Sequence, residues 1–184
     1  MNIDIRGKIN EKKLAYNNTL LPLYEAIANS IHAIEDDSVT KPGLIEIDII
    51  RSNEPELNLP GMKKPQIIDF NVTDNGIGFN DENFESFNLA HSTYKFNKGG
   101  KGLGRFIWLR AFHFAEIESI YKENEHFVLR KFFFEPTKDG IEKHTKQNIG
   151  AIEKRYTTVK LRTLKKDYWQ WCRVAAVCQE ESHQ

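Results

Sequence analysis

Residues 20–36 carry the pattern that most restricts what this chain can become. Leu20, Leu23, Tyr24, Ile27, Ile31 and Ile34 recur at three- and four-residue steps, which predicts an amphipathic helix. On that helix Glu25, Asn29, His32 and Asp36 follow one another at steps of four, three and four. At about 100° per residue they form one narrow polar stripe. A helix of this kind lays its apolar side on a core and turns the stripe elsewhere. Taken alone, the stripe fits a solvated face as well as a ligand-facing one.

The 184 residues allow one domain with a real core and are too few for two ordinary ones. Lys+Arg and Asp+Glu both number 26, so the net charge is zero. That balance argues against a wholesale nucleic-acid or anionic-membrane surface and leaves a local basic patch open. No apolar run is long enough to span a bilayer, and the start lacks a signal-peptide pattern. Cys172 and Cys178 lie six apart in a helical pattern and point to different faces, so they are not expected to bridge. A reduced, cytoplasmic setting is the expectation.

Along the chain, residues 1–19 read as a short strand or extended arm. Asn18 or Thr19 is the expected N-cap of the helix, with Pro22 tolerated in its first turn. The helix should stop near Glu35-Asp36-Asp37. Strands are predicted at 44–50 and 66–73 by alternation, with an exposed connection rich in proline between them. In the second strand Ile68, Phe70 and Val72 share a face, and Asp74 continues it. A short helix is expected over 81–90, a mobile glycine- and lysine-rich lid over 91–103, and a helix from Gly104. Three further strands are expected at about 114–122, 126–134 and 155–163, with a turn at Asp139-Gly140. A helix with aromatics around its girth should run from Lys166 to about Gln179.

Two segments carry glycines in suggestive places. In Asp74-Asn75-Gly76-Ile77-Gly78, an aspartate aimed along an apolar face needs a donor; a turn-initiating aspartate before Asn-Gly explains it equally well. Gly99 to Phe106 (GGKGLGRF) fails the Walker pattern, because Arg105-Phe106 stand where Lys and Ser/Thr are needed. It also fails the dinucleotide fingerprint. A glycine-rich turn opening a helix still offers free N–H groups to an anion, and Lys101 and Arg105 add charge. A loop with scattered lysines accounts for the same residues. Cys172, Cys178 and His183 have no zinc spacing.

Taken together and in order, these segments resemble the GHKL ATPase superfamily: DNA gyrase B subunit, the large heat-shock chaperones, histidine kinases, MutL and MORC proteins. Its Glu-x3-Asn helix motif matches Glu25 and Asn29, its Asp-x-Gly-x-Gly motif Asp74, Gly76 and Gly78, and its lid motif Gly100, Gly102 and Gly104. The flanking stretches AHSTYK and GRFIWLRAFHFAEIES look most like the chaperone and MORC branches. A late-strand threonine of the family aligns with Thr157 in Arg155-Tyr156-Thr157-Thr158-Val159. The resemblance runs from about residue 20 to 165.

It implies an α+β fold, a two-layer α/β sandwich of the Bergerat type. The sheet would be mixed and mostly antiparallel, covered on one face by helices, with a glycine-rich ATP lid. It further implies three parts: an N-terminal arm (1–19), the ATP-binding domain (20–165), and a C-terminal helix (166–184) leading to a downstream domain. By analogy Asp74 accepts from the adenine amino group, and Gly76 and Gly78 let the chain pass close to the purine. Asn29 ligates Mg2+ through its amide oxygen, and Glu25 activates the attacking water. Lys101, Gly102, Leu103 and Gly104 wrap the phosphates, while Thr157 reaches the adenine pocket. The implied activity is magnesium-dependent hydrolysis of ATP to ADP, coupled to lid closure and to a homodimer formed through the N-terminal arm.

Three departures from the family pattern matter. His32 stands where many relatives have Asp, and Tyr156 replaces the usual glycine, which weighs against Thr157 in favour of Thr158. A γ-phosphate lysine from a following domain is missing, so turnover by this chain alone should be slow. Two other functions fit the same motifs: a nucleotide-gated interaction module with negligible turnover, and a histidine kinase catalytic domain.

Overall fold

The computed structural model describes residues 5–37, 42–53, 65–88, 104–151 and 154–172. Over these residues the fold is α+β. Helices α1 (Ile5–Glu11), α2 (Leu21–Glu35), α3 (Asp81–Asn88) and α4 (Arg105–Ala111) accompany strands β1 (Ile45–Arg51), β2 (Ile67–Asp74), β3 (Phe112–Glu123), β4 (His126–Phe134), β5 (Ile141–Gly150) and β6 (Tyr156–Leu164). The six strands form one open sheet in the order β1-β2-β6-β3-β4-β5. All five pairings are antiparallel, so the expectation of a mixed sheet is corrected. The last strand lies between β2 and β3 and joins the hairpin β1–β2 to the meander β3–β4–β5.

The core follows from strand parity. Phe70, Val72, Ile117, Phe132, Phe134, Val159 and Leu161 are buried on one side of the sheet, and α4 packs there. Phe106, Ile107, Trp108, Leu109 and Ala111 are all buried on that helix, as expected of a helix apolar on every side. Phe87 of α3 meets Phe132 and Phe134 edge to ring at 5.4 and 5.3 Å. The Arg105 guanidinium lies over the rings of Phe87 and Phe106, and burial pulls its pKa down to about 10.

Several elements differ from the sequence reading. Residues 5–11 form a helix rather than an extended arm, and Ile5 and Ile9 enter the core; one i,i+4 pair in seven residues is too short to display a period. Leu20, not Asn18 or Thr19, occupies the cap of α2, because residues 16–18 form a 3-10 turn and the Thr19 hydroxyl donates to Tyr16 O. In β2 it is Ile67, not Ile68, that is buried with Phe70 and Val72. β5 lies in the segment read only as polar: six of its ten residues in a row are exposed, and the edge strand shows no alternation. After β6 the chain makes a 3-10 turn, Lys166–Tyr168, and one helical turn to the buried Cys172. Cys178 and the rest of the predicted tail helix lie outside the described residues.

The roll of α2 bears most on function. Its buried line is Leu23, Ala26 and Ser30, while Tyr24 and Ile31 are 46% and 45% exposed. The helix is turned so that small residues, not the bulkiest ones, meet the sheet. Glu25, Asn29 and His32 are half-buried on its flank.

Candidate functional site

Asp74 ends β2 and is 4% exposed. Two donors meet its carboxylate: Ser30 Oγ to Oδ2 at 2.8 Å and Gly76 N–H to Oδ1 at 2.9 Å. Burial raises its pKa, and these two bonds oppose the rise. The carboxylate retains lone pairs for a further donor. Both readings of Asp74 left open by the sequence therefore hold: it closes the turn through Gly76 and also faces a helix.

The turn after Asp74 is pressed against α2. Ile77 N–H donates to Ala33 O at 2.9 Å, and a Cβ on Gly76 would lie 2.5 Å from the Ala33 carbonyl carbon. Gly78 has φ +81°, and its Cβ would fall 2.8 Å from Tyr121 Cβ and 2.9 Å from Ser119 Oγ. Glycine is required at the first position by space, and at the second by space and conformation. Asn75 ties the same turn to the start of β1, accepting from Leu44 N–H at 2.8 Å and donating to Pro42 O at 3.0 Å.

Thr157 faces Asp74 in the β2–β6 register and Ser119 in the β3–β6 register. Its hydroxyl is 2.8 Å from Ser119 Oγ. Thr158 projects to the other side of the sheet and pairs with Thr73 at 2.9 Å. The register thus puts Thr157, not Thr158, beside Asp74, despite Tyr156 before it. The Tyr156 hydroxyl donates to Glu118 on the outer face at 2.6 Å, and that bond pushes its pKa up to about 12.

At the other end of α2, Glu25 lies against the first residue described after the glycine-rich segment. A Cβ on Gly104 would be 2.0 Å from Glu25 Oε2. Ala33 and Glu25 are eight residues apart, about 12 Å along a helix. Asn29 lies between them, next in sequence to the Ser30 that binds Asp74. α2 therefore carries Glu25 and Asn29 on its half-buried flank and Ser30 on its buried line, with Gly104 near one end and Gly76 near the other. His32 contributes a buried Nδ1 with no hydrogen-bond partner among the described residues. Lys101, Gly102 and Leu103 lie outside the described residues, as does the expected lid.

Sequence reasoning missed three side chains here. Ser30 binds Asp74, and Ser119 receives Phe79 N–H at 3.0 Å. Arg130, 1% exposed, donates to Phe79 O at 2.7 Å and Asn80 O at 2.8 Å and pairs with Asp81. It fixes the chain that leaves Gly78, helped by Asn83 Nδ2 donating to Gly78 O at 2.8 Å. Parity held a clue to both strand residues: Ser119 alternates with Ile117 and Tyr121, and Arg130 with Val128 and Phe132, all buried. A polar residue in an inward register needs a partner.

Among the described residues no group of three or more His, Cys, Asp or Glu is placed to hold a metal ion. No helix among them is long and apolar enough to cross a membrane. The chain matches no protein-family model and no curated protein sequence.

Proposed function

We propose that this domain binds ATP with magnesium and hydrolyses it, in the manner of a GHKL ATPase with a Bergerat-type fold and a glycine-rich lid. The observation that carries the reading is the meeting of three separated motifs along one helix. Asp74 binds Ser30, which adjoins Asn29; Glu25 lies one turn further along and packs at Gly104. Residues far apart in sequence thereby line a strip of about 12 Å, a span suited to a purine at one end and phosphates at the other.

In this reading Asp74 accepts from the adenine 6-amino group, and Gly76 and Gly78 keep the approach open. Thr157 stands beside Asp74 on the next strand. Asn29 offers a single amide oxygen, which fits magnesium only as one donor among phosphate oxygens and waters, the usual arrangement for that ion. Magnesium would neutralise phosphate charge, and Glu25 would orient and deprotonate the water. Lys101, Gly102 and Leu103 would contribute from the glycine-rich segment. Lid closure, dimerisation through the N-terminal residues and a downstream domain belong to the same proposal.

Calorimetry with ATP, ADP and GTP, with and without magnesium, tests it. ATP should bind, GTP should bind at least about a hundredfold more weakly, and Asp74→Asn should cut ATP affinity at least tenfold. Unchanged affinity in Asp74→Asn removes the adenine assignment. A nucleotide-gated module that barely turns over is favoured by one observation: no hydrogen bond orients the Glu25 carboxylate among the described residues. The two readings part on Glu25→Ala. Loss of hydrolysis with binding kept supports the ATPase, and a turnover rate unchanged from a negligible one supports the module.

A further inference from the structure

We propose that the outer edge of β1 is a docking strand for an extended peptide that alternates aliphatic and basic residues. The inference stands on the sheet alone and is independent of the nucleotide reading.

Among the described residues β1 pairs with β2 only, so one side of its backbone is an edge. The phase of the ladder is fixed at its start, where Asn75 N–H donates to Leu44 O at 3.3 Å. Bonded and non-bonded pairs alternate in an antiparallel ladder. Even-numbered residues therefore bond to β2, and the N–H and C=O groups of Ile45, Ile47 and Ile49 point to the edge. Parity also sorts the side chains. Ile47 and Ile49 stand opposite Val72 and Phe70, which are buried on the helix side. Yet the two isoleucines are 43% and 45% exposed. Beside them runs α2: a Cβ on Gly43 would meet Ile34 Cγ2 at 2.4 Å, and Ile31, one turn back on the same side, is exposed as well. Glu46 and Asp48 take the other face of the sheet and are exposed.

The two edges of the sheet differ. β5 carries register shifts against β4 and a positive φ at Lys143, irregularities that spoil an edge for pairing. β1 keeps its register from Ile45 to Ile50 and holds no proline or glycine. An intact edge with isoleucines on its inward face invites a further strand, and its charges decide which. A second copy related by a two-fold axis must set odd-numbered residues opposite odd-numbered ones, because only their N–H and C=O groups face the edge. Turning about Ile47 sets Glu46 against the partner's Asp48. Turning about Glu46 or Asp48 sets that carboxylate against its own copy. Like charges directly opposite destabilise a pair. Lysine or arginine at those positions reverses the sign, and aliphatic residues between them cover Ile47, Ile49 and Ile31.

The test follows fluorescence anisotropy of blocked peptides as long as β1, seven residues, added to the full chain. One alternates lysine with valine, the other glutamate with valine. The lysine peptide should bind saturably below about 1 mM and at least about tenfold better than the glutamate peptide. Glu46→Lys combined with Asp48→Lys should reverse that preference. Ile47→Pro removes an edge-facing N–H that β2 does not use, so the sheet should survive while lysine-peptide binding falls about tenfold or more. Circular dichroism checks folding, and the charge reversal carries the test should the proline variant not fold. An unchanged preference after charge reversal, or no saturable binding of the lysine peptide by the wild type, overturns the proposal. So does a dimer in sedimentation that Ile47→Pro abolishes, or slow hydrogen exchange at Ile47 in the chain without peptide, since a second copy or the chain itself then occupies the edge.

Discussion

The two ends of α2 are held in different ways. At Ala33 the neighbouring glycine, Gly76, faces backbone: its Cβ would meet the Ala33 carbonyl carbon at 2.5 Å, and Ile77 N–H locks the contact. At Glu25 the neighbouring glycine, Gly104, faces only the tip of a side chain. Around Asp74 the polar groups are paired and buried, whereas Glu25 and Asn29 are half-buried and make no side-chain hydrogen bond among the described residues. A helix held this way has its Asp74 end fixed on folding and its Glu25 end able to adjust. Under the ATPase reading proposed above, that is the division of labour the cycle would need, because only the phosphate end changes between ATP and ADP.

The contrast can be broken most directly at the glycines. Gly78→Val combines a positive φ with a clash against Tyr121 and Ser119, and should cost about 3 kcal/mol or more in denaturant unfolding. Gly104→Ala displaces only a carboxylate that can swing away, so it should cost under about 1 kcal/mol while lowering hydrolysis severalfold. Equal losses of stability in the two would erase the distinction between the ends.

Arg130→Met comes next. It strips the Phe79 and Asn80 carbonyls of a buried donor and leaves Asp81 with Lys146 alone, at a cost of about 2–3 kcal/mol. Hydrogen exchange should show faster opening at residues 78–81, with β1 unaffected. Exchange unchanged at that turn would mean Arg130 does not hold it.

Protonation sharpens the comparison with a smaller effect. The pKa of Asp74 is raised by burial above 3.8, so the folded state binds the proton more tightly than the unfolded chain. The contribution of this group is then most favourable below the unfolded value and is lost as pH rises through the folded one. Asp81 has the opposite sign: hydrogen bonds from Lys146 and Arg130 lower its pKa, and its contribution is lost as pH falls through that lowered value. Asp74→Asn should therefore leave stability at neutral pH unchanged or slightly higher, measured by thermal unfolding, although it should lose ATP. A clear loss of stability would show that the carboxylate is kept for folding instead of for a ligand.

Legibility in the sequence followed the range of each constraint. Asp74, Gly76 and Gly78 stood out because a turn and its glycines are written locally. The main helix and the first two strands showed through their periods, and three of the other four strands were also expected. What stayed hidden depended on partners distant in the chain. The roll of α2 was decided by the turn that packs on Ala33, and the sequence pattern favoured Tyr24 and Ile31, which ended exposed. β5 owes its place to pairing with β4, not to its own alternation. Ser119 lies 38 residues from Thr157 in the chain, and Arg130 lies 51 from Phe79. Only strand register brings such residues face to face, and register is not spelled out in either segment.

The position of β6 also sets a schedule. Because the strand that bears Thr157 is the last of the six to be made and fills the gap between β2 and β3, a growing chain that stops short of it has two half-sheets and no Asp74–Thr157 pairing. Contacts of such long sequence separation form slowly. Under the ATP-binding reading proposed above, nucleotide would reward only a chain made through β6, so its capture would be a late checkpoint on assembly of the sheet and not an early scaffold for it.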